Sequence, residues 1–230
     1  MLVSVHMPKT AGLSLRSSLE EHFGEGFRPD YGDYPLAKPP EQRRTLARQW
    51  AESARGADYA GVGCIHGHFL ALKYLSLAQT VPCTFVTWLR EPVARLVSHY
   101  HYWQRAYDPA AGTTSVLHRR VIEERWTLER FCLAPELRNV YSEFLWGFPL
   151  ERLGFIGITE FFAEDLRYFS HEILGNKMSA RTLNRRVDAD SAAVAAAMDG
   201  LRRAEIEAYH AADMALYRHA LALRRLRDPT

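Results

Sequence analysis

Cysteine is scarce: Cys64, Cys83 and Cys132 are an odd, widely spaced set in a chain of 230 residues. A chain of that size folds without staples, so a disulfide framework is excluded and the three read as core thiols in a reduced interior. No long apolar run is present, which excludes a membrane span, and no charged start leads into an apolar stretch and a small-residue cleavage site, which excludes a secretory signal. A cytoplasmic location is the resulting expectation. Charge of one sign is also missing, with 29 basic against 27 acidic side chains and a formal net charge of +2. That balance argues against a nucleic-acid partner, because neutralising many phosphates needs an excess of Lys and Arg. There is no internal repeat.

What is there is apolar and aromatic residue, 47% and 12% of the chain. A chain of this length buries roughly 70–75% of the surface its unfolded form exposes. One compact domain over residues 1–230 is therefore expected. Leu2 to His6 is a β-type run closed by Met7-Pro8, and Leu15, Leu19 and Phe23 follow at helical spacing. Residues 24–41, with four prolines and three glycines, predict a long mobile loop without regular structure. A helix over about 41–54 leads to a second strand, Gly61 to Ile65, ending in His66-Gly67-His68. Cys83 to Leu89 is the third strand, and Pro92 opens a helix whose stripe is Val93, Leu96, Val97, Tyr100, Trp103 and Tyr107. Helical patterns over 117–146, a strand from Leu153 to Ile158, a helix near 160–174, a basic loop and a helical tail from about Asp190 to Arg227 complete the chain.

Strands alternating with helices predict an α/β, P-loop-like fold with a central, mainly parallel sheet flanked by helices. In such sheets ligands sit beyond the carboxyl ends of the strands. Three polar clusters fall there: Pro8 to Ser14, His66 to His68, and Arg90 to Ser98. In the first, small residues at 10–12 let backbone N–H groups approach an anion, the next helix presents its positive end, and Lys9 adds a full charge. The order is not Walker A, since the lysine precedes the glycine. An ordinary strand-to-helix turn with an exposed lysine is the competing reading.

Pro-Lys-Thr-Ala-Gly-x-Ser-Leu-Arg after the first strand, a Gly-His-Phe segment, Leu-Arg-Glu-Pro-Val-x-Arg-x-x-Ser-His-Tyr, and Gly154-x-x-Gly157-Ile158-Thr159-Glu160 occur in that order. As a set, spanning most of residues 1–175, this resembles the sulfotransferases that use 3′-phosphoadenosine 5′-phosphosulfate (PAPS), in particular the carbohydrate branch with heparan sulfate 2-O-sulfotransferase. The resemblance implies an enzyme that moves a sulfuryl group from PAPS to a hydroxyl of a carbohydrate, a glycolipid or another small-molecule acceptor. The product adenosine 3′,5′-bisphosphate (PAP) is left behind. It also implies that Lys9, Thr10, Ala11, Gly12, Leu13 and Ser14 hold the 5′-phosphosulfate.

Arg90 ends the third strand and Ser98 lies two turns into the next helix, away from its apolar stripe, so both can face one pocket. A planar guanidinium and a hydroxyl suit a phosphate dianion. The resemblance makes that the 3′-phosphate. Arg90 paired with Glu91 is the structural alternative, and Arg95 reads as a surface ion-pair partner. Two anion pockets at neighbouring strand ends favour a bis-phosphorylated nucleotide over ATP.

Sulfuryl transfer to an alcohol requires a base, and an imidazole titrating near neutrality suits the task. His66 and His68, two apart on an extended segment, can face the same side. The resemblance favours His68 as base, with His66 assisting. Cys64, His66, His68, His99 and His101 raise a zinc alternative, but zinc needs three or four convergent ligands, and His99 and His101 on one helix diverge by roughly 200°. No metal is expected to be required. His6, His118, His171 and His210 read as buried, hydrogen-bonded histidines. The resemblance places adenine near Thr159 to Phe162, under a basic loop, Asn176 to Arg181; against it, Phe161 and Phe162 read as core, and Arg181, Arg185 and Arg186 as solvated. Tyr100, Tyr102, Trp103, Trp126, Tyr141 and Trp146 read as packing first and as stacking surfaces second. A small-molecule kinase and a non-catalytic nucleotide-binding module are the alternative functions.

Overall fold

The computed structural model describes residues 1–33, 35–110, 115–175, 195 and 198–227. Among them five strands, β1 (Leu2–Val5), β2 (Phe27–Asp30), β3 (Cys64–Gly67), β4 (Thr84–Leu89) and β5 (Leu153–Ile158), form one sheet in the order β2-β3-β1-β4-β5. All four pairings are parallel. The helices are α1 (Gly12–Phe23), α2 (Pro40–Ser53), α3 (Pro92–Ala106), α4 (Val116–Glu123), α5 (Leu128–Cys132), α6 (Val140–Phe144), α7 (Phe162–Tyr168), α8 (Gly200–Tyr209) and α9 (Ala211–Arg227), joined in places by short 3-10 turns. This is the α/β, P-loop-like architecture that the alternation of elements predicts.

A sheet buried on both faces needs strands that are apolar on both faces. In β1 all four residues are buried, and the two faces feed different cores. Val3 and Val5 join Ile65, Phe85 and Leu89 beneath Tyr141 and Phe144 of α6 and Leu216 and Tyr217 of α9. Leu2 joins Cys64, Val86 and Trp88 beneath Leu15 and Leu19 of α1 and Phe162 and Leu166 of α7. Trp88 lies across Gly157 of the paired strand β5, where a Cβ would stand 2.3 Å from the indole. A third core, built on Val93, Leu96 and Val97 of α3, packs α4, α5 and α8 together. No helix among the described residues is long and apolar enough to cross a membrane.

Several expected boundaries are corrected. Residues 24–41 are not wholly irregular: they contain β2, which pairs with β3 in the register Pro29↔His66, flanked by 3-10 turns at Gly24–Gly26 and Pro35–Ala37. A proline in a strand reads as a breaker, but β2 is an edge strand, where a missing N–H is tolerated. The second long strand starts at Cys64 rather than Gly61, because Gly61 turns the chain at φ 77° and Gly63 donates to the Gly26 carbonyl at 2.9 Å. The helical stretch over 117–146 breaks into α4, α5 and α6, with Arg125 (φ 50°) and Asn139 (φ 49°) in left-handed backbone at two of the joints. The helix near 160–174 is a 3-10 turn at Thr159–Phe161, then α7, then a π turn at Phe169–Ile173. The tail is two helices meeting at His210, and 190–194 lie outside the described residues. Cys64 and Cys132 are buried free thiols as expected, whereas Cys83 is half-buried.

Candidate active site

Val5 pairs with Gly67 on one side and Thr87 on the other, so β1 and β3 end level, β4 runs two residues further to Leu89, and the chain leaves all three at one edge of the sheet. A cavity of about 630 Å³ opens there. Of the residues singled out by sequence, Lys9, Ala11, Gly12, Leu13, Ser14, His68, Arg90 and Ser98 line it. Thr10 and His66 do not. Thr10 is buried, with its hydroxyl donating to the Met7 carbonyl at 2.9 Å inside the loop. His66 is fully buried behind His6.

The loop between β1 and α1 is held in an unusual backbone. Lys9 (φ 67°) and Ala11 (φ 61°) both occupy the left-handed region, which costs a non-glycine residue roughly 1–2 kcal/mol each. Strain of this kind persists where the fold enforces it, and it turns successive amides toward one concavity. α1 starts at Gly12 with no side-chain cap and no acidic residue in its first turn, leaving its positive end open toward the cavity. Gly12 is required by close approach: a Cβ there would lie 1.5 Å from Nε2 of His6. The Lys9 ammonium sits 4.2 Å from the centre of the Tyr102 ring. By contrast α3 is closed at its start, since the Glu91 carboxylate accepts from the Ala94 N–H at 2.7 Å and is itself held by Arg203 at 3.0 Å. The structural alternative for Arg90, an ion pair with Glu91, is not the one formed: the acid pairs with Arg203.

Arg90 is buried, and its backbone is fixed by Tyr141. Ser98 Oγ and His99 Nδ1, both on the α3 wall of the cavity, are buried without a hydrogen-bond partner among the described residues. An unsatisfied buried polar group costs about 1–3 kcal/mol, and a ligand oxygen at that wall would relieve it. Arg95 is corrected from a surface residue: it is fully buried, its three guanidinium nitrogens have no hydrogen-bond partner among the described residues, and it lies 5.6 Å from the centre of the Tyr141 ring. From Pro92 to His99 every residue of α3 is buried, so this part of the helix has no solvent face to offer it.

Three imidazoles stack across the strand ends. His6 lies between His66 and His68, with ring centroids 5.0 Å and 4.2 Å away. His6 is thus corrected from a lone core histidine to a member of the site. Its Nδ1 is 3.0 Å from the Tyr31 hydroxyl, and that of His66 is 2.9 Å from Ser4 Oγ. His68 Nδ1 is 2.7 Å from the His6 carbonyl, which can only accept; this places the proton on Nδ1 and the lone pair on Nε2. Burial pushes His68 below its usual value, against the opposing pull of that carbonyl. Burial, then the neighbouring imidazoles, holds His6 well below it and takes His66 down to about 3. The rings are neutral near pH 7.

Other expected residues divide. Tyr102 and Trp103 line the cavity, as does His118, which stacks on Trp103 at 4.8 Å. Tyr141 is core, and Tyr100 and Trp126 pack with α5. Trp146 lies under Arg44 and Arg48. His210 is buried between the Cys132 carbonyl and the Asn139 N–H as expected, but His171 is exposed beside Glu172. Phe162 is core, whereas Phe161 is 39% exposed under the Arg224 guanidinium. Thr159 to Phe162 lie off the cavity wall, and Asn176 to Arg181, Arg185 and Arg186 lie outside the described residues. Among the described residues no three His, Cys, Asp or Glu side chains gather as metal ligands. Tyr31 went unread in the sequence, and His99, weighed there only as a zinc ligand, stands instead on the α3 wall of the cavity. Tyr31 hides in a stretch rich in proline, and the signal for His99 is its place beside Ser98.

No protein-family model and no curated protein matches the chain. Among solved structures it is similar to a sulfotransferase from Alicyclobacillus acidocaldarius, at 16% identity and a TM-score of 0.45, over 96% of this chain and 94% of that one. Likeness at this level transfers no activity.

Proposed function

We propose that the protein is a PAPS-dependent sulfotransferase acting on a hydroxyl acceptor. The observation that carries the reading is the arrival on one cavity of a strained, uncapped Lys9 loop, the Arg90–Ser98 wall, and a neutral imidazole with its Nδ1 proton already committed. PAPS, the donor substrate, supplies a sulfuryl group on a mixed anhydride. In this reading Lys9 and the leading amides of α1 bind the 5′-phosphosulfate and take up the charge that grows on the departing phosphate oxygen. Arg90 and Ser98 Oγ bind the 3′-phosphate. His68 Nε2 removes the acceptor's proton as its oxygen attacks sulfur in line, and the sulfur–oxygen bond to the phosphate breaks. Gly12, pressed against His6, keeps the donor loop and the base in fixed relation, so most of the rate gain comes from positioning.

Thermal unfolding in the presence of PAP, ATP and AMP tests the reading. PAP at about 100 times its dissociation constant is expected to add about 2.7 kcal/mol, a rise of roughly 5–10 °C in Tm. Stabilisation by ATP and not by PAP would replace the proposal with a kinase.

A further inference from the structure

Beside the proposed base the cavity carries aromatic rings and a short apolar turn, with the Arg16 guanidinium 5.3 Å from the centre of the Tyr31 ring. The Tyr31 ring stands edge-on to His68 at 5.0 Å and the Phe144 ring at 6.3 Å. Pro35, Leu36 and Ala37, on the 3-10 turn after β2, continue that wall, and Leu36 packs on the same core as Phe144. Two ion pairs, Lys73 to Asp30 at 2.7 Å and to Asp33 at 2.8 Å, fasten the segment that carries Tyr31, so the wall is built in. At the mouth, Leu13 and Tyr102 line the cavity while 71% and 45% exposed. Among the described lining residues there is no Asp, Glu, Asn or Gln.

A sugar brings several hydroxyls, each donor and acceptor at once, and the side chains suited to them are carboxylates and carboxamides. The hydroxyl of this wall, on Tyr31, is already shared with His6 Nδ1 at 3.0 Å. A sugar turned against Tyr31, Leu36 and Phe144 would leave the hydroxyls on that side unpaired, at a cost that separates substrates by large factors. A flat aromatic ring with one hydroxyl leaves none, and it meets ring edges in the geometry aromatic pairs prefer.

We propose that the acceptor is a phenol-type hydroxyl on a flat apolar ring, seated against Tyr31, Leu36 and Phe144, in place of the glycan that the sequence resemblance implies; this rests on the sulfotransferase reading above. The phenolic oxygen forms the new bond to sulfur, its proton passes to His68 Nε2, and the bond between sulfur and the 5′-phosphate oxygen breaks. The products are an aryl sulfate and PAP, and the imidazolium returns its proton to solvent. Proton affinity runs the same way. Burial weakens His68 as a base, and a phenol at about 10 is far easier to deprotonate than an alcohol close to water's roughly 16.

The test measures transfer from radiolabelled PAPS to 2-naphthol and 4-methylphenol, and to methyl glucoside, N-acetylglucosamine and an N-sulfated oligosaccharide, with PAP-induced stabilisation recorded on the same protein. A kcat/KM for 2-naphthol roughly 100-fold above every sugar is expected. Leu36→Asn should raise KM for 2-naphthol about 10-fold with the PAP stabilisation unchanged; Ala37→Asn, at an exposed position, serves the same purpose if the first variant does not fold. PAP stabilisation with faster transfer to a sugar, or with no transfer to either phenol, overturns the phenol assignment and leaves the donor reading standing. No stabilisation by PAP and no transfer to any acceptor overturns both.

Discussion

The Tyr141 hydroxyl grips the backbone of Arg90 from both sides, donating to its carbonyl oxygen at 2.8 Å and accepting from its N–H at 3.0 Å. Tyr141 is fully buried, so both of these hydrogen bonds lie out of solvent at the point where β4 ends. Tyr141→Phe should cost about 2–3 kcal/mol by stranding both. Since the loss lands on Arg90, KM for PAPS should rise several-fold while kcat changes little. A variant that loses stability but keeps its KM would reduce Tyr141 to a packing residue.

His68→Ala should lower kcat by about 10²–10⁴-fold. Because His68 is assigned to the proton and not to the nucleotide, the Tm rise on adding PAP should survive. Steady-state kinetics and thermal unfolding on one preparation decide it; retained turnover removes His68 from the base role.

Gly12→Ala drives a methyl into the His6 ring and is expected to destabilise by about 1–3 kcal/mol, with a matching loss of PAP affinity. Adding His6→Ala opens the space. The double variant should recover at least 0.5 kcal/mol of that loss, measured as a coupling energy by urea unfolding. Strict additivity would mean the two residues do not meet.

His66 is neutral in the fold, with its value lowered to about 3 by burial first and by His68 and Arg16 after it, against 6.5 unfolded. The unfolded chain therefore binds the extra proton in this window, and the contribution is fully present above pH 6.5 and is lost as pH falls from there toward 3. Replacing His66 with Gln should flatten the fall by up to one proton, about 1.4 kcal/mol per pH unit. Urea titrations at several pH values over that range measure the difference in slope. Equal slopes for both proteins would show that His66 is protonated in the folded state.

The parts of the fold legible in the sequence are those whose local chemistry agrees with their place. β4 reads clearly because Phe85, Val86, Trp88 and Leu89 are apolar toward both faces of a buried strand. β2 does not, because Phe27-Arg28-Pro29-Asp30 carries charge and proline, which only a sheet edge accepts. The site divides in the same way. Lys9, His68, Arg90 and Ser98 stand just past strand ends or along the first helix beyond one, where an all-parallel sheet gathers its polar residues. His6 went unread as a site residue because it closes an apolar run. Its position one residue past Val5, level with the residue after Gly67, was the available signal. Arg95 misleads for a different reason: its three- and four-residue neighbours suggest an amphipathic helix, while every residue from Pro92 to His99 is buried and α3 shares its core with α4, α5 and α8.

Pro29 leaves the outer margin of the sheet without one of its backbone donors, and Arg28 beside it is exposed and charged. An incoming strand from another molecule would find neither a continuous ladder nor a neutral flank to zip against. That margin is thereby protected from growth into fibrous stacks, and contact between copies on this side has to be made by side chains.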